Sequence, residues 1–564
     1  KLAVLVEALG DSFPEGTSGI GHTRWATHGE PTDLNAHPHV DCHNQIVVVH
    51  NGIVENFLEL RQELEKQGHV FSSQTDSECI PHLIESFLTQ EYSFDDAVKE
   101  TAGRILGANA IVATCSQEPG KLVACRLGNA GGIVVGYGKN EMFFASDLPA
   151  LLPHTKKVAY LAGGEVVSVT RTGADYSLLD GTPLEKPTSH VPFDSISAAK
   201  GEYKHFMLKE INEQPEAVVS TMRGLVSFDT FTVDIEDFPL SIEEINSIDK
   251  VMLVGMGTSL HAAMVGRTWV ESLARIPAEF DNSSEFRYRD PIIDQRTLVV
   301  SICQSGETAD TLAAMGEAAR KGARQITVCN YDGSQSTRVA DGTILIRAGP
   351  EISVPASKTF VCSLTALTLL SMYLGVNRGT LTRARLSELV SALARLPDML
   401  GALVSDQRQY EHLAQEYGTY SDFLYLGRGV LFPLAMEGAL KLKEVSYIHA
   451  EGYQAGEMKH GPISLIDENM PIVALIPKDN LYDKMLSNIN EAKARGGKVV
   501  AVATEGDAEI AAIADHVIYI PAASSLTTPI LMALPMQLIA YHMAVRRGCD
   551  VDQPRNLAKS VTVE

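Results

Sequence analysis

Two glycine- and hydroxyl-bearing turns carry the first chemical signal. The apolar run 251–255 leads into Gly255-Met256-Gly257-Thr258-Ser259, and the run 298–302 leads into Cys303-Gln304-Ser305-Gly306-Glu307-Thr308. Each turn is followed by a helical pattern, so each puts Gly and hydroxyl groups at the carboxyl end of a strand and the start of a helix. Free N–H groups and the helix macrodipole favour an anion there, and open parallel sheets bind their ligands at that end. Hydroxyls of Ser259, Ser305 and Thr308 add donors for a phosphate without a positive side chain. N-capping is the other use of the same residues. The Gly-Met-Gly turn does not continue to GxGxxG, and no GxxxxGK[ST] occurs, so no nucleoside triphosphate is inferred.

Further along, Pro433 suits the first turn of a helix that runs through MEGALKLKEVSYIHAE. Glu444 stands one turn from Leu440, Lys441 and Tyr447, a mixed setting in which a carboxylate is either a partly desolvated base or one half of a solvated i,i+3 ion pair. His460, in Lys459-His460-Gly461-Pro462, is either a proton shuttle or a surface imidazole. Lys559, in the tail DQPRNLAKSVTVE, becomes an imine-forming nucleophile only if its surroundings lower its pKa. The N-terminal part holds a dense run, Gly21-His22-Thr23-Arg24-Trp25-Ala26-Thr27-His28-Gly29, then His37-Pro38-His39 and His50-Asn51-Gly52. Neither HxxxH on a helix nor H-E-x-x-H is present, so no metal site is expected. Asn51-Gly52 offers an amide and a Gly N–H as an oxyanion hole, or is simply a hairpin turn. Arg24 can clamp a carboxylate and Asp76 an ammonium, which together would recognise an amino acid.

These residues need rigid elements behind them. The stretch 17–170 reads as β-rich, with strands at 46–49, 110–114, 122–126, 132–137, 142–145 and 165–169 and helices at 55–67 and 78–88. A Pro-, Ser- and Gly-bearing stretch, 175–200, reads as a linker, and 202–219 as a charged helix. Beyond 248 short apolar strands alternate with longer helical patterns, as in βαβ units. Strands begin near 251, 298, 325 and 343, then with nearly the same spacing near 423, 472, 498 and 516, which predicts a duplicated doubly wound domain.

Composition bounds the rest. The 564 residues suffice for three or four domains, and a net charge of −23 repels nucleic acid and anionic lipid. Eight scattered cysteines without a CxxC pair fit a reducing compartment, so a cytoplasmic location is expected. The longest apolar stretches, 364–376 and 526–545, are short or interrupted by Pro529, Pro535, Gln537 and His542, so no membrane span is expected.

The motifs HTRWATHG, NAHPHV, VVVHNGI, TDSE, SEFRYRD, QSGETADT, ALKLKEVSYIHAEGYQAGEMKHGP and DQPRNLAKSVTVE strongly resemble the glutamine:fructose-6-phosphate aminotransferase family, also called glucosamine-6-phosphate synthases. The resemblance covers nearly the whole chain in order. It implies an α/β and α+β multidomain protein: an αββα N-terminal-nucleophile glutaminase domain over 1–190, a connecting segment 191–241, two sugar isomerase (SIS) domains over 242–385 and 410–553, and an active-site tail 554–564. It implies a homodimer that hydrolyses glutamine, passes ammonia internally, and converts fructose 6-phosphate to glucosamine 6-phosphate with no metal or organic cofactor. Carried over, Arg24, Trp25, Thr27, His28, His37, Asn51, Gly52 and Asp76 would serve glutamine and its oxyanion, with Trp25 gating the ammonia path. Gly257, Thr258, Ser259, Cys303, Gln304, Ser305, Thr308, Ala356, Ser357 and Lys441 would bind the sugar phosphate. Lys559 would form the imine, Glu444 would move the proton between carbons 1 and 2, and His460, donated by the neighbouring subunit, would assist ring opening.

Three departures from the pattern stand out. The family nucleophile is a cysteine at the mature N-terminus, whereas residue 1 is Lys1 and neither Cys42 nor Cys79 lies in a matching motif. The expectation is therefore that the catalytic first strand lies upstream, and that the chain as it stands has only the isomerase activity. Met256 replaces the usual cysteine and Cys303 the usual serine. Ala356 replaces a sugar-contacting serine, with Ser357 beside it to compensate. A ketose-phosphate isomerase, a deaminase-like paralogue of the same fold, and a non-catalytic sugar-phosphate sensor are the alternatives.

Overall fold

A computed structural model describes residues 16–24, 30, 32–128, 132–146, 148–190, 200–201, 203–236 and 238–561. The chain forms two compact units, Lys1–Ser195 with Glu307–Ala309 and Ser560–Glu564, and Ile196–Gly306 with Asp310–Lys559.

The first unit is built on a seven-stranded antiparallel sheet in the order His39–Val40, Ile46–Gly52, Asn109–Cys115, Leu122–Leu127, Glu165–Thr170, Gly173–Leu178, Pro183–Leu184. Side chains alternate along these strands, as the strand period of two requires. Ile46, Val48, Ile111, Ala113, Val123 and Cys125 face the helices Phe57–Lys66, Cys79–Leu88 and Phe94–Arg104, burying Leu60, Leu64, Ile80 and Phe94. Ala110, Ala124, Val167 and Val169 face the other way, onto Ile133, Val135, Ala159 and Leu161 of a second, four-stranded sheet. The turn 151–155 meets that sheet's far side, where a Cβ on Gly136 would lie 2.9 Å from Thr155 Cγ2. Part of the expected linker is therefore sheet: Gly173–Leu178 pairs with Glu165–Thr170.

The second unit carries two five-stranded sheets, parallel throughout. Their spatial orders are Ala278–Asn282, Lys250–Gly255, Thr297–Ile302, Arg324–Cys329, Gly342–Leu345, and His449–Gln454, Asp422–Gly427, Ile472–Ile476, Val499–Thr504, His516–Ile520. Both run 2-1-3-4-5 in their own sequence order, so the duplication read from spacing is present in the topology. The second strand of each copy escaped that reading because AEFDN and HAEGYQ are polar edge strands. The expected helix 202–219 is two helices, Phe206–Asn212 and Gln214–Met222, the second with Pro215 in its first turn.

One hydrophobic core runs through both copies. At its centre lie Lys358–Asn377 and Thr528–Arg546, both long and apolar enough to cross a membrane yet with 89% and 94% of their most apolar windows buried inside the fold. They are core helices here. The helices that follow the first strand of each copy, Thr258–Trp269 and Phe432–Ser446, pack on each other. That contact holds the Gly255–Ser259 turn of one copy against the Glu444 helix of the other.

Candidate active sites

In the second unit the Gly255–Ser259 turn is fixed by Gly257, whose φ of 50° favours glycine. Thr258 does not cap its helix. Its hydroxyl donates to Glu437 Oε1 (3.0 Å) and accepts from Lys441 Nζ (3.0 Å). His261 Nδ1 donates to Glu437 Oε2 at 2.6 Å. Lys441 lies 3.4 Å from Glu437 and 2.6 Å from Glu444, so Glu437, Lys441 and Glu444, spaced i, i+4, i+7, form one line of alternating charge along the helix. Burial pulls the Lys441 ammonium down, but the Glu437 and Glu444 carboxylates outweigh it and the net shift is upward. Burial likewise pushes the Glu437 carboxyl up, and Lys441 and His261 bring it below its ordinary range. Of the two readings of Glu444, the ion pair forms, yet with Lys441 fully buried and Glu444 only 21% exposed it is not a solvated surface pair. Lys441 is therefore an internal link between the Gly255–Ser259 turn and Glu444, and its ammonium is enclosed rather than presented to a ligand.

The second turn is tighter. Gly306 has φ 74°, and a Cβ on it would lie 2.1 Å from Ser334 Oγ. Gln304 is half-buried and Ser305 buried. Thr308 lies in the short stretch Glu307–Ala309 that belongs with the first unit. The Cys303 side chain is directed inward, with Sγ 3.3 Å from Ser336 Oγ and 3.6 Å from Thr327 Oγ1. Its hydrogen bond with Cys329, and burial, hold the thiol well above its ordinary pKa. Cys303 supports the turn from beneath; the expected side-chain role in phosphate binding does not fit that orientation.

Lys559 is reached from the tail. Asp552 accepts the N–H groups of Phe206 and Met207 at 2.9 Å each, its carbonyl accepts Val354 N–H at 2.8 Å, and Arg555 N–H donates to Tyr447 Oη at 2.8 Å. Tyr447 is the left-handed C-cap of the Glu444 helix. So anchored, the tail brings Lys559 Nζ to 2.6 Å from Glu351 Oε2 and 2.8 Å from Ser353 O. Glu351 is fully buried and also accepts from Ser357 N–H, Thr359 N–H and the Thr359 hydroxyl. Burial pushes its carboxyl up, and Lys559 with these donors keeps it below the ordinary range. Behind it, burial and the Glu351 charge push Glu210 up to about 7. Ala356 is half-exposed beside this pair. Ser357 is fully buried and its hydroxyl has no partner among the described residues, so its enclosure argues against the expected compensation for the serine missing at 356. His460 is exposed at the end of the turn Ala455–His460.

Sequence reasoning missed Glu437, Glu351, Glu210 and His261. The i, i+4, i+7 spacing of Glu437, Lys441 and Glu444 was a usable signal. Nothing local could have paired Glu351 with Lys559.

In the first unit Asn51 and Gly52 lie within the strand Ile46–Gly52, with Gly52 opposite Asn109, so the hairpin-turn reading falls. A Cβ on Gly52 would lie 2.4 Å from Ala108 O. Arg24 N–H donates to His22 Nδ1 at 3.0 Å, which leaves His22 Nε2–H to donate to Asn51 Oδ1 at 2.7 Å. The Asn51 amide hydrogens are thus turned away from His22. Asp76 is buried, and one oxygen accepts Val54 N–H at 2.8 Å. Burial lowers His22, His50, His39 (to about 4) and His37 (to about 2), so these imidazoles are neutral near pH 7. A cavity lined by His22, His50, Asn51, Val112 and Phe144 opens beside them. Trp25, Thr27 and His28 lie outside the described residues.

Comparison with known proteins agrees with both units. Residues 22–153 match the glutamine amidotransferase domain family, and 244–373 and 422–547 each match the SIS domain family. The glutamine–fructose-6-phosphate aminotransferase (isomerizing) of Thermus thermophilus is 47% identical over 564 residues, all of this chain and 92% of that protein. The same enzyme from Thermococcus kodakarensis is 45% identical over 566 residues, with the same two coverages, 100% and 92%. A solved structure, the C-terminal domain of glucosamine-fructose-6-phosphate aminotransferase from Francisella tularensis, superposes with a TM-score of 0.60 at 36% identity, over 63% of this chain and 100% of that one. The chain belongs to the glutamine–fructose-6-phosphate aminotransferase family.

Proposed function

We propose that this protein converts fructose 6-phosphate to glucosamine 6-phosphate with nitrogen from glutamine, and that the second unit carries the sugar chemistry. The observation that carries the reading is Lys559: an amine at the end of a docked tail, held by a buried carboxylate within a pair of SIS folds. Because the amine is paired with a carboxylate, imine formation with an opened ketose starts with transfer of a Lys559 proton to Glu351. The nitrogen then bonds to carbon 2 as the carbonyl oxygen, receiving that proton, leaves as water, and the Glu351 carboxylate again faces a cationic nitrogen. Glu444 is the base that moves a proton between carbons 1 and 2, with Lys441 fixing its orientation. Main-chain and hydroxyl groups of the turns 257–259 and 304–306, both in the second unit, take the phosphate, consistent with a ligand bound by helix ends in an acidic protein. His460, exposed and without a side-chain hydrogen bond among the described residues, suits donation to the site of a second copy in a homodimer. In the first unit Asn51 and Gly52 supply an oxyanion hole, and Arg24 and Asp76 hold the glutamine.

The test is to follow glucosamine 6-phosphate from glutamine and fructose 6-phosphate, and separately the glutamine-independent isomerisation of fructose 6-phosphate to its aldose. Lys559→Ala and Glu444→Gln are expected to lower the sugar half at least a hundredfold. Undiminished product in both variants overturns the assignment, and sugar-phosphate binding without turnover by the unmodified protein favours a sensor.

A further inference from the structure

Away from both sites, the first unit gathers a second set of chemically matched side chains. They come from the turn after His39–Val40, the segment that follows Phe57–Lys66, and the helix Cys79–Leu88. Cys42, His69, His82 and Glu85 each offer one ligand atom within 4.8 Å of the others. Cys42 Sγ lies 3.7 Å from His69 Nδ1 and 3.5 Å from His82 Nδ1. Glu85 Oε2 lies 2.9 Å from His69 Nδ1 and 3.5 Å from His82 Nδ1. A tetrahedral zinc ion bound by sulfur, nitrogen and oxygen at ~2.0–2.3 Å spaces its ligand atoms ~3.3–3.6 Å apart. Three of the four separations agree with those edges to about 0.2 Å, and the fourth needs only a small opening. We propose that Cys42, His69, His82 and Glu85 form a structural site for a divalent zinc-like cation.

The donor set suits the ion. Thiolate, imidazole and carboxylate together select a borderline-soft metal over calcium or magnesium. Thiolate and carboxylate also neutralise a dication. The surroundings orient the ligands as outer-shell partners do. His43 Nδ1 holds the other Glu85 oxygen at 2.6 Å, so Oε2 is the one left facing the cluster. Glu78 Oε1 lies 3.8 Å from His82 Nε2, on the side of the ring away from Cys42, and Glu78 is itself fixed by Ser72 and Ser73. Val70 N–H points at Cys42 Sγ from 3.4 Å. His82 and Glu85 are one turn apart on a helix, which makes half of the set rigid. A cleft lined by Cys42, His69 and Glu85 gives the ion a way in. With four protein ligands the site is closed, and its role is to clamp two connecting segments to the helix Cys79–Leu88, which the hydrophobic core already holds.

The full chain, stripped with a chelator, is titrated with Co2+ and then Zn2+. The expected result is about one equivalent bound per chain, with a thiolate-to-cobalt charge-transfer band and tetrahedral d–d bands that Zn2+ bleaches. Cys42→Ser should abolish the charge-transfer band, His82→Ala should weaken binding at least tenfold, and Cys549→Ser should change neither. Zn2+ should also raise the thermal midpoint of the unmodified protein. If a cluster variant fails to fold, the unmodified protein still decides: no stoichiometric binding, an octahedral spectrum without a thiolate band, or an unmoved midpoint overturns the proposal. A band that survives Cys42→Ser overturns it as well.

Discussion

Lys559 and Glu351 are useful to each other only as a pair. Removing one charge of a buried pair leaves the other uncompensated, so Glu351→Gln is expected to cost about 3 kcal/mol and to lower sugar turnover at least tenfold. Glu210 behaves oppositely. Its carboxyl titrates near 7 in the folded chain against about 4.3 unfolded, so the folded state holds the extra proton and wild-type stability falls as pH rises between those values. Glutamine can mimic the protonated form, accepting the Ile352 and Ser353 N–H groups that Glu210 accepts now. Glu210→Gln should therefore match or exceed wild type in thermal midpoint at pH 8 and show no gain at pH 5. A lower midpoint at pH 8 would show that the carboxylate is needed charged.

Elements decide whether such residues meet. The turn holding Gln304 and Ser305 depends on Gly306, where a side chain would strike Ser334 and adopt a strained backbone. Gly306→Ala should cost about 1–3 kcal/mol and raise KM for the sugar phosphate about tenfold or more, with kcat less affected. Equilibrium binding of fructose 6-phosphate checks this directly. The tail is a second case. Asp552→Ala removes the acceptor for two N–H groups at the start of Phe206–Asn212, a change worth about 1–2 kcal/mol. It should lower kcat by loosening Lys559 while leaving glutamine-site chemistry untouched. Both elements were only partly legible in sequence. The glycine-hydroxyl turns announce themselves because strand, turn and helix are contiguous. The tail does not, since its partners at 206, 354 and 447 lie far from it along the chain.

At the scale of the molecule, the two units should answer acid differently. In the first unit the folded pKa values of His22, His37, His39 and His50 lie below the unfolded value near 6.5. Protons then bind the unfolded chain preferentially, and stability is lost as pH falls from about 6.5 towards 4. Hydrogen exchange should show protection in Ile46–Gly52 and Asn109–Cys115 decreasing over that range, with His50→Gln flattening the slope; protection independent of pH would contradict the neutral-imidazole account. Sequence alone determined the duplicated α/β architecture, the β-rich first unit, the two glycine-hydroxyl turns between strand and helix, and the family, because periodicity, turn residues and contiguous motifs are local properties of the chain. It did not determine that Asn51-Gly52 is strand rather than turn, that Cys303 faces inward, that the Glu444 carboxylate is tied to Thr258 through a buried lysine, or that Glu351 awaits Lys559. Those were decided by packing of one element on another, which brings together residues up to 346 positions apart and sets the burial on which their charge states depend.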